Sequence, residues 1–330
     1  QYSVPHSARF CPQTNPAGPM AVENQTHVTE FTLLSFSHGQ PFLFVLFLAV
    51  YLATLLGNSA ILALVLLDPH LHSPMYFFLS HLSCLDICYS SVTVPKILAN
   101  ALRPQATISY CGCLAQMFFL MWCAGTECVL LAVMAYDRYA AICQPLRYVH
   151  TMSWGVCVAA ATGCWLWGML DSAVHTLLAT RLSFCRAARL QHIFCDVPPL
   201  LRAACSNTHP SEVALHAASI FVGLGPFLLV IVSYLRILAT IIQMPVATSR
   251  RKAFSTCSAH LLVVTLYFVT ANLNYNRPSS GYSPAADTLV STLYCIVTPM
   301  LNPLIYSLRN QEVRGALRKA VWGQGTLACL

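Results

Sequence analysis

Residues Leu130–Tyr148 read LLAVMAYDRYAAICQPLRY: an apolar run meets Asp137 and Arg138 side by side, and apolar residues then resume. An adjacent acid and base stand out in a 330-residue chain that is 57% hydrophobic and only 9% charged. That composition excludes an ordinary water-soluble domain and makes lipid the solvent for most of the chain. A helix needs roughly 20 residues to cross about 30 Å of hydrocarbon. Seven runs are long enough, at about 41–67, 74–98, 111–137, 154–178, 210–242, 253–276 and 286–308. Helices satisfy the backbone of such runs internally, whereas barrel strands would show short alternating segments. The predicted fold is therefore an all-α membrane protein, a seven-transmembrane helix bundle over 41–308 between an N-terminal tail, 1–40, and a C-terminal tail, 309–330.

The punctuation fits these boundaries. In DPHLHSPMYFFLSHLSCLD (68–86) a short polar break ends in Ser73 and Pro74, suited to an N-cap and a first helical residue. Pro95, Pro226, Pro299 and Pro303 fall inside apolar runs, where proline frees backbone carbonyls and kinks the helix. Asn24-Gln25-Thr26 is an N-glycosylation acceptor, and the stretch just before the first run carries Glu23 and Glu30 but no Lys or Arg. An extracellular N-terminus follows. With seven spans it puts Arg250, Arg251, Lys252, Arg309, Arg314, Arg318 and Lys319 on the cytoplasmic side of a plasma-membrane protein. Met20 reads as a start preceded by a disordered, proline-rich extension, 1–19, and the first span serves as its own targeting signal. After the seventh run, NQEVRGALRKAV (310–321) sets Val313, Ala316, Leu317, Ala320 and Val321 on one helical face and Arg314 and Arg318 on another. That pattern predicts a short amphipathic helix lying on the cytoplasmic membrane surface.

Asp86 and Glu127 lie inside apolar runs, where a charge costs at least roughly 2.5–3.5 kcal/mol. Two readings stand. Each carboxyl is protonated and hydrogen-bonded within the bundle, or the two form a shared cation site with Asn58 and Asn302, holding sodium as an allosteric ligand. No other cofactor is called for. Most of the sixteen cysteines sit in apolar runs and read as small buried hydrophobes. Cys185, Cys195 and Cys205 share a long outer loop, and Cys111 and Cys113 open the third run on the same oxidising side, enough for two disulfides. The chain has no CxxC pair for zinc and no Walker, HExxH or GxSxG motif, which predicts a binder rather than an enzyme. Membrane lipid is the expected surrounding partner, and nucleic acid is not expected as one.

Six motifs occur in order: GNS from Gly57, PMYFFLSHLSCLD from Pro74, MAYDRYAAICQPLRY from Met134, SY from Ser233, KAFSTCSAHL from Lys252 and PMLNPLIYSLRN from Pro299. Together they resemble the signatures of vertebrate odorant receptors, a branch of the rhodopsin-like G-protein-coupled receptors. The loop pattern FC, IFCDVPPLL and AACSNT resembles the terrestrial-vertebrate type. The resemblance implies a receptor for a volatile odorant that activates a stimulatory olfactory-type heterotrimeric G protein and raises cAMP. It implies pairing of Cys113 with Cys195 and of Cys185 with Cys205, leaving Cys111 free. It also implies a switch, in which Asp137 at the cytoplasmic end of the third helix restrains Arg138, next to Tyr139, until activation releases the arginine toward the G protein. An exposed pair stabilises by only about 0–1 kcal/mol, which suits a switch better than a clamp; the competing reading is a plain interface-anchoring pair. In NPLIY, Pro303 weakens the helix beside Asn302, and Tyr306 is expected to swing toward Tyr234. Arg250, Arg251 and Lys252 read equally as G-protein contacts or as topogenic charges.

The seventh run has no lysine, which excludes a retinal Schiff base. In the third helix Leu120, Met121, Ala124 and Gly125 are predicted to face the ligand, with Leu120 standing where amine receptors of the resembled superfamily carry an aspartate. Tyr267, Thr270, Ala271 and Asn274 are expected opposite, with Cys295 from the seventh helix. Helix packing is an equally good reading of each of these inward positions. The predicted ligand is a small, neutral, mostly apolar volatile held by apolar contact and one or two hydrogen bonds. Two departures from the resembled pattern, Phe268 after Tyr267 and the polar Asn272 and Asn274, imply a narrower or more polar pocket. A non-nasal chemoreceptor and a transporter or channel stand as alternatives; transporters tend to show repeated halves, and no such repeat is present here.

Overall fold

Every one of the seven apolar runs is helical in the computed structural model, which describes residues 28–34, 41–184, 189–276, 283–309 and 311–322. The first four helices are Pro41–Leu67, Pro74–Ala101, Tyr110–Cys143 and Trp154–Thr180. The fifth spans His209–Ile242, the sixth Ala247–Tyr275, and the seventh runs from Pro284 to Arg309. Among the described residues these are the seven helices long and apolar enough to cross a membrane. The protein is a multi-pass seven-helix membrane bundle. Asn24, Met20 and the stretch 1–19 lie outside the described residues, as do Cys185 and the side chains of Arg251 and Lys252.

The third helix is the axis of the bundle, with its flanks buried by the second, fourth and fifth. It continues to Cys143, more than a turn beyond the predicted end, so Asp137 and Arg138 sit within the helix rather than at its tip. Close approach of the fourth helix depends on Gly168. A Cβ there would stand 2.3 Å from Thr126 Oγ1 and 2.6 Å from Thr126 N, so only glycine fits without displacement. The contact is tied by Trp122 Nε1 donating to the Trp165 carbonyl at 2.9 Å and Ser172 Oγ donating to the Phe118 carbonyl at 2.5 Å. Gly57 serves the first and seventh helices in the same way, since its Cβ would come within 2.9 Å of Pro303 Cγ.

The helices accommodate their prolines in two ways. Pro95 and Pro303 are carried inside α-helix. Ahead of Pro226 and Pro299 the helix widens into π turns, Ser219–Leu224 and Leu293–Val297. A proline ring clashes with the carbonyl four residues back, and a wider turn relieves it. Ser73 stands at the N-cap before Pro74, though its side chain makes no capping bond there.

At one end of the bundle the polypeptide before the first helix contributes a strand, β1 (Glu30–Thr32), paired antiparallel with β2 (Thr107–Ser109) before the third helix. Leu190 N donates to the Thr32 carbonyl at 2.8 Å and Leu34 N to the His192 carbonyl at 2.9 Å, so the long loop after the fourth helix joins the same small layer. Phe31, fully buried, anchors a hydrophobic cluster with Ile108, Met117 and Leu200 beneath it. At the other end the helix Gln311–Trp322 packs Val313 and Ala316 against the first helix and the turn Pro69–Leu71. Arg314, Arg318 and Lys319 are exposed. Leu317, on the predicted apolar face, is 37% exposed.

Candidate functional site

A cavity of about 330 Å³ lies between the third to seventh helices. Met121, Ala124 and Gly125 line it from the third helix, and Tyr267 and Ala271 from the sixth, as expected from the sequence. The other four predicted positions lie elsewhere. Leu120 is fully buried in the helix-packing core, one residue and some 100° of helical rotation away from Met121. Thr270 Oγ1 bonds back to the carbonyls of Leu266 and Tyr267. Cys295 is buried in the second π turn. Asn274 takes part in a separate network described below. The sequence reading missed the whole wall from the fifth helix, where Ala218, Ser219, Val222 and Phe227 border the cavity around the first π turn. It also missed Asp171 of the fourth helix and Tyr294 of the seventh.

Tyr267 closes the floor. Its hydroxyl donates to the Ala124 carbonyl at 2.8 Å, and it lies 3.3 Å from Cys128 Sγ and 3.5 Å from the Tyr294 hydroxyl. Tyr294 in turn shares a 2.7 Å hydrogen bond with Tyr89 of the second helix. This buried chain of hydroxyls links the cavity to the bundle interior.

The loop after the fourth helix covers the end bearing β1. Cys195 is disulfide-bonded to Cys113, while Gln116 Oε1 accepts from Cys195 N at 2.9 Å and Gln116 Nε2 donates to the Val92 carbonyl at 2.9 Å. Cys111 is free and exposed, and Cys205 is disulfide-bonded. A short helix, Val197–Ala203, starts at the buried Asp196. Asn274 Nδ2 donates to Asp196 Oδ2 at 3.0 Å and Tyr275 donates to Oδ1 at 3.4 Å, while Ser291 donates to Asn274 Oδ1 at 2.7 Å. Arg202 adds an ion pair to Asp287 at 2.7 Å. Asn274 thus clasps the loop to the sixth and seventh helices. Burial pushes the Asp196 carboxyl up, against the opposing pull of these hydrogen bonds. Burial likewise lowers the neighbouring His192 to about 4.

Deeper in the bundle, Asn302 Nδ2 donates to both oxygens of Asp86, at 3.0 and 3.1 Å. Asn58 Nδ2 donates to the carbonyls of Thr54 and Pro299. The Oδ1 atoms of Asn58 and Asn302 are buried without a hydrogen-bond partner among the described residues, and Glu127 is buried close enough for its charge to act on Asp86. Among the described residues no three His, Cys, Asp or Glu side chains are grouped to hold a metal. What this part of the bundle offers instead is hard oxygen atoms, from two carboxylates and two amides without a hydrogen-bond partner among the described residues.

At the end opposite β1, Arg138 donates to Asp137 Oδ2 through Nε at 3.0 Å and Nη2 at 2.5 Å. Asp137 is fully buried and the Arg138 side chain only 15% exposed, which corrects the expectation of an exposed surface pair. The third helix continues past the pair to Cys143. Tyr148, unremarked in the sequence reading, donates to Asp137 Oδ1 at 2.8 Å. Tyr234 is held by a 2.6 Å hydrogen bond to His260 Nδ1 of the sixth helix, and the hydroxyl of the buried Tyr306 has no hydrogen-bond partner among the described residues. Tyr139 is partly buried and accepts from Gln144 Nε2 at 3.1 Å.

The sequence profile of the olfactory receptor family matches residues 47–324. The chain is 48% identical over 305 residues to Homo sapiens olfactory receptor 1F1, covering 92% of this chain and 98% of that one. It is also 48% identical over 300 residues to Mus musculus olfactory receptor 5AP2, covering 90% and 95%. The crystal structure of squid rhodopsin aligns over 88% of this chain and 87% of that one with a TM-score of 0.65 at 18% identity, a likeness of fold.

Proposed function

Because the chain belongs to the olfactory receptor family, a family of receptors and not enzymes, we propose that it binds a small, mostly apolar volatile in the cavity between the third and seventh helices. Binding then activates a stimulatory olfactory-type G protein and raises cAMP. The observation that carries this reading is the cavity itself: its 330 Å³ lies in the range of small-ligand sites, and its floor, Tyr267, is wired through Tyr294 and Tyr89 to the core. The end bearing β1 is extracellular in this reading, the protein resides in the plasma membrane, and Arg138 faces the cytoplasm. A sodium ion at Asp86, Glu127, Asn58 and Asn302 would supply fixed positive charge between two acids. The arrangement at Asp137 is the resting state, with Arg138 held away from the G protein and Tyr306 free to move.

The test is a cAMP assay in cells expressing the epitope-tagged chain, against a broad odorant panel. An agonist whose response is lost in Ala218→Trp, which fills the cavity, at unchanged surface level is the expected result. An agonist indifferent to Ala218→Trp would refute the site.

A further inference from the structure

The cavity wall contains one acid. Asp171 borders it from the fourth helix, in the membrane-spanning part, with its side chain 16% exposed and Oδ2 directed toward Gly125 of the third helix. Its nearest potential ion partner is His175, one turn along, whose Nε2 stands 3.8 Å from Oδ1. That separation is too long for a hydrogen bond. His175 is 3% exposed and its Nδ1 is buried without a partner, so protonating the ring would strand a buried N–H. A neutral His175 leaves the carboxylate uncompensated. No Lys or Arg occurs among the residues lining the cavity, and no hydrogen-bond donor reaches Asp171 among the described residues. The other polar residues of the lining, Ser219, Asn272, Asn276 and the tyrosines, are uncharged. Asp171 is therefore a half-buried acid with no hydrogen-bond donor reaching it and no cation in the wall; such a group is costly, and within a membrane span it marks a functional position.

We propose that Asp171 is the polar anchor of the ligand, and that the receptor selects volatiles whose one polar group is a hydrogen-bond donor, a hydroxyl or a protonated amine. Carbonyl and ether compounds of the same skeleton, which only accept, meet an acceptor there and are repelled. Leu120, where amine receptors of the resembled superfamily carry an aspartate, is outside the cavity, and Asp171 supplies an acid from another helix. The rest of the ligand lies against Val222, Phe227 and Phe268, which supply apolar surface. Leu224, Val269 and Leu273, each about half exposed at 47%, 51% and 50%, border the cavity from the fifth and sixth helices, leaving an apolar approach on that side.

The inference rests on the cavity being the odorant site, and the experiment separates the two. Alcohols, primary amines and ketones of matched carbon skeleton are compared on the wild-type receptor, then on Asp171→Asn and Asp171→Leu, with surface staining and Ala218→Trp in parallel. A hydrogen bond to a charged group is worth at least about tenfold in affinity. Donor ligands should therefore be at least about tenfold more potent than the ketones on the wild type, and should lose that margin in Asp171→Leu. Which of the alcohols and amines leads tells whether a neutral or a cationic donor is preferred. Ketones as potent as alcohols and amines on the wild type overturn the inference even if both variants fail to reach the surface. Agonists blocked by Ala218→Trp but unmoved by both Asp171 substitutions overturn it while leaving the cavity in place.

Discussion

Replacing Tyr148 by phenylalanine removes one of three hydrogen bonds to the Asp137 carboxylate and leaves the two from Arg138. A hydrogen bond to a charged acceptor is worth about 1.5–3 kcal/mol. Tyr148 is only half-buried, so water recovers part of that, and about 1.4 kcal/mol remains as the estimate. If the bond exists only in the resting state, its loss shifts the active-to-resting ratio tenfold, taking a receptor active about 1% of the time to about 9%. Asp137→Asn removes the charge as well and should raise ligand-independent cAMP further. Arg138→Ala does the opposite of a clean test, because stranding a fully buried carboxylate costs about 3–5 kcal/mol of stability. The assay is basal cAMP normalised to surface epitope staining. Equal surface levels with no basal rise in either Tyr148→Phe or Asp137→Asn would refute the restraint and leave the pair as architecture.

Gly168→Ala should destabilise the bundle by about 1–3 kcal/mol or more through forced separation of the third and fourth helices, read as a lower melting temperature in detergent; an unchanged melting temperature would contradict the close contact. Asp86→Asn and Glu127→Gln should each abolish the sodium dependence of signalling while the protein still reaches the surface, and retained dependence in both would return these acids to a purely structural role. Cys113→Ser, which opens a link between residues 82 apart, should cost about 4.5 kcal/mol by the chain-entropy account and be seen as loss of surface protein. His192 stays neutral in the folded loop until pH falls to about 4, whereas the unfolded chain takes up the proton near 6.5. Acidification across that window therefore weakens the loop, by at most about 3 kcal/mol, and the raised Asp196 carboxyl works in the opposite sense. Hydrogen exchange at the Leu34 amide, which bonds to the His192 carbonyl, should accelerate beyond its intrinsic rate over that range in wild type and less so in His192→Gln.

What the sequence made legible follows from the physics of each signal. Membrane spans are read from length and apolarity, and all seven were. Facing is read from a contrast between polar and apolar sides, which a helix buried in lipid and protein lacks, so Leu120 and Met121 looked alike while the fold separates core from cavity by one residue. The π turn at Ser219–Leu224 adds a register shift that no 3.6-residue periodicity encodes, and Ser219, Val222, Gly223 and Leu224 of that turn border the cavity. Asp196 and Asn274, which bond to each other, are 78 residues apart and left no local trace.

Residues whose chemistry opposes their surroundings behave differently. Asp86 and Glu127 were found because an acid in an apolar run is conspicuous whichever way the helix turns, and the fold brings both to one buried cluster. Asp171, within the run WGMLDSAVH, carries the same signal and could have been singled out from the sequence without knowing which way its helix faces. Apolar lining residues can be exchanged at a cost of contact area alone, so many sequences serve one cavity and none announces it. An acid in that wall cannot be exchanged without changing what the cavity accepts. The specificity of this receptor is therefore more legible in its few misplaced charges than in the apolar surface that makes up most of the site.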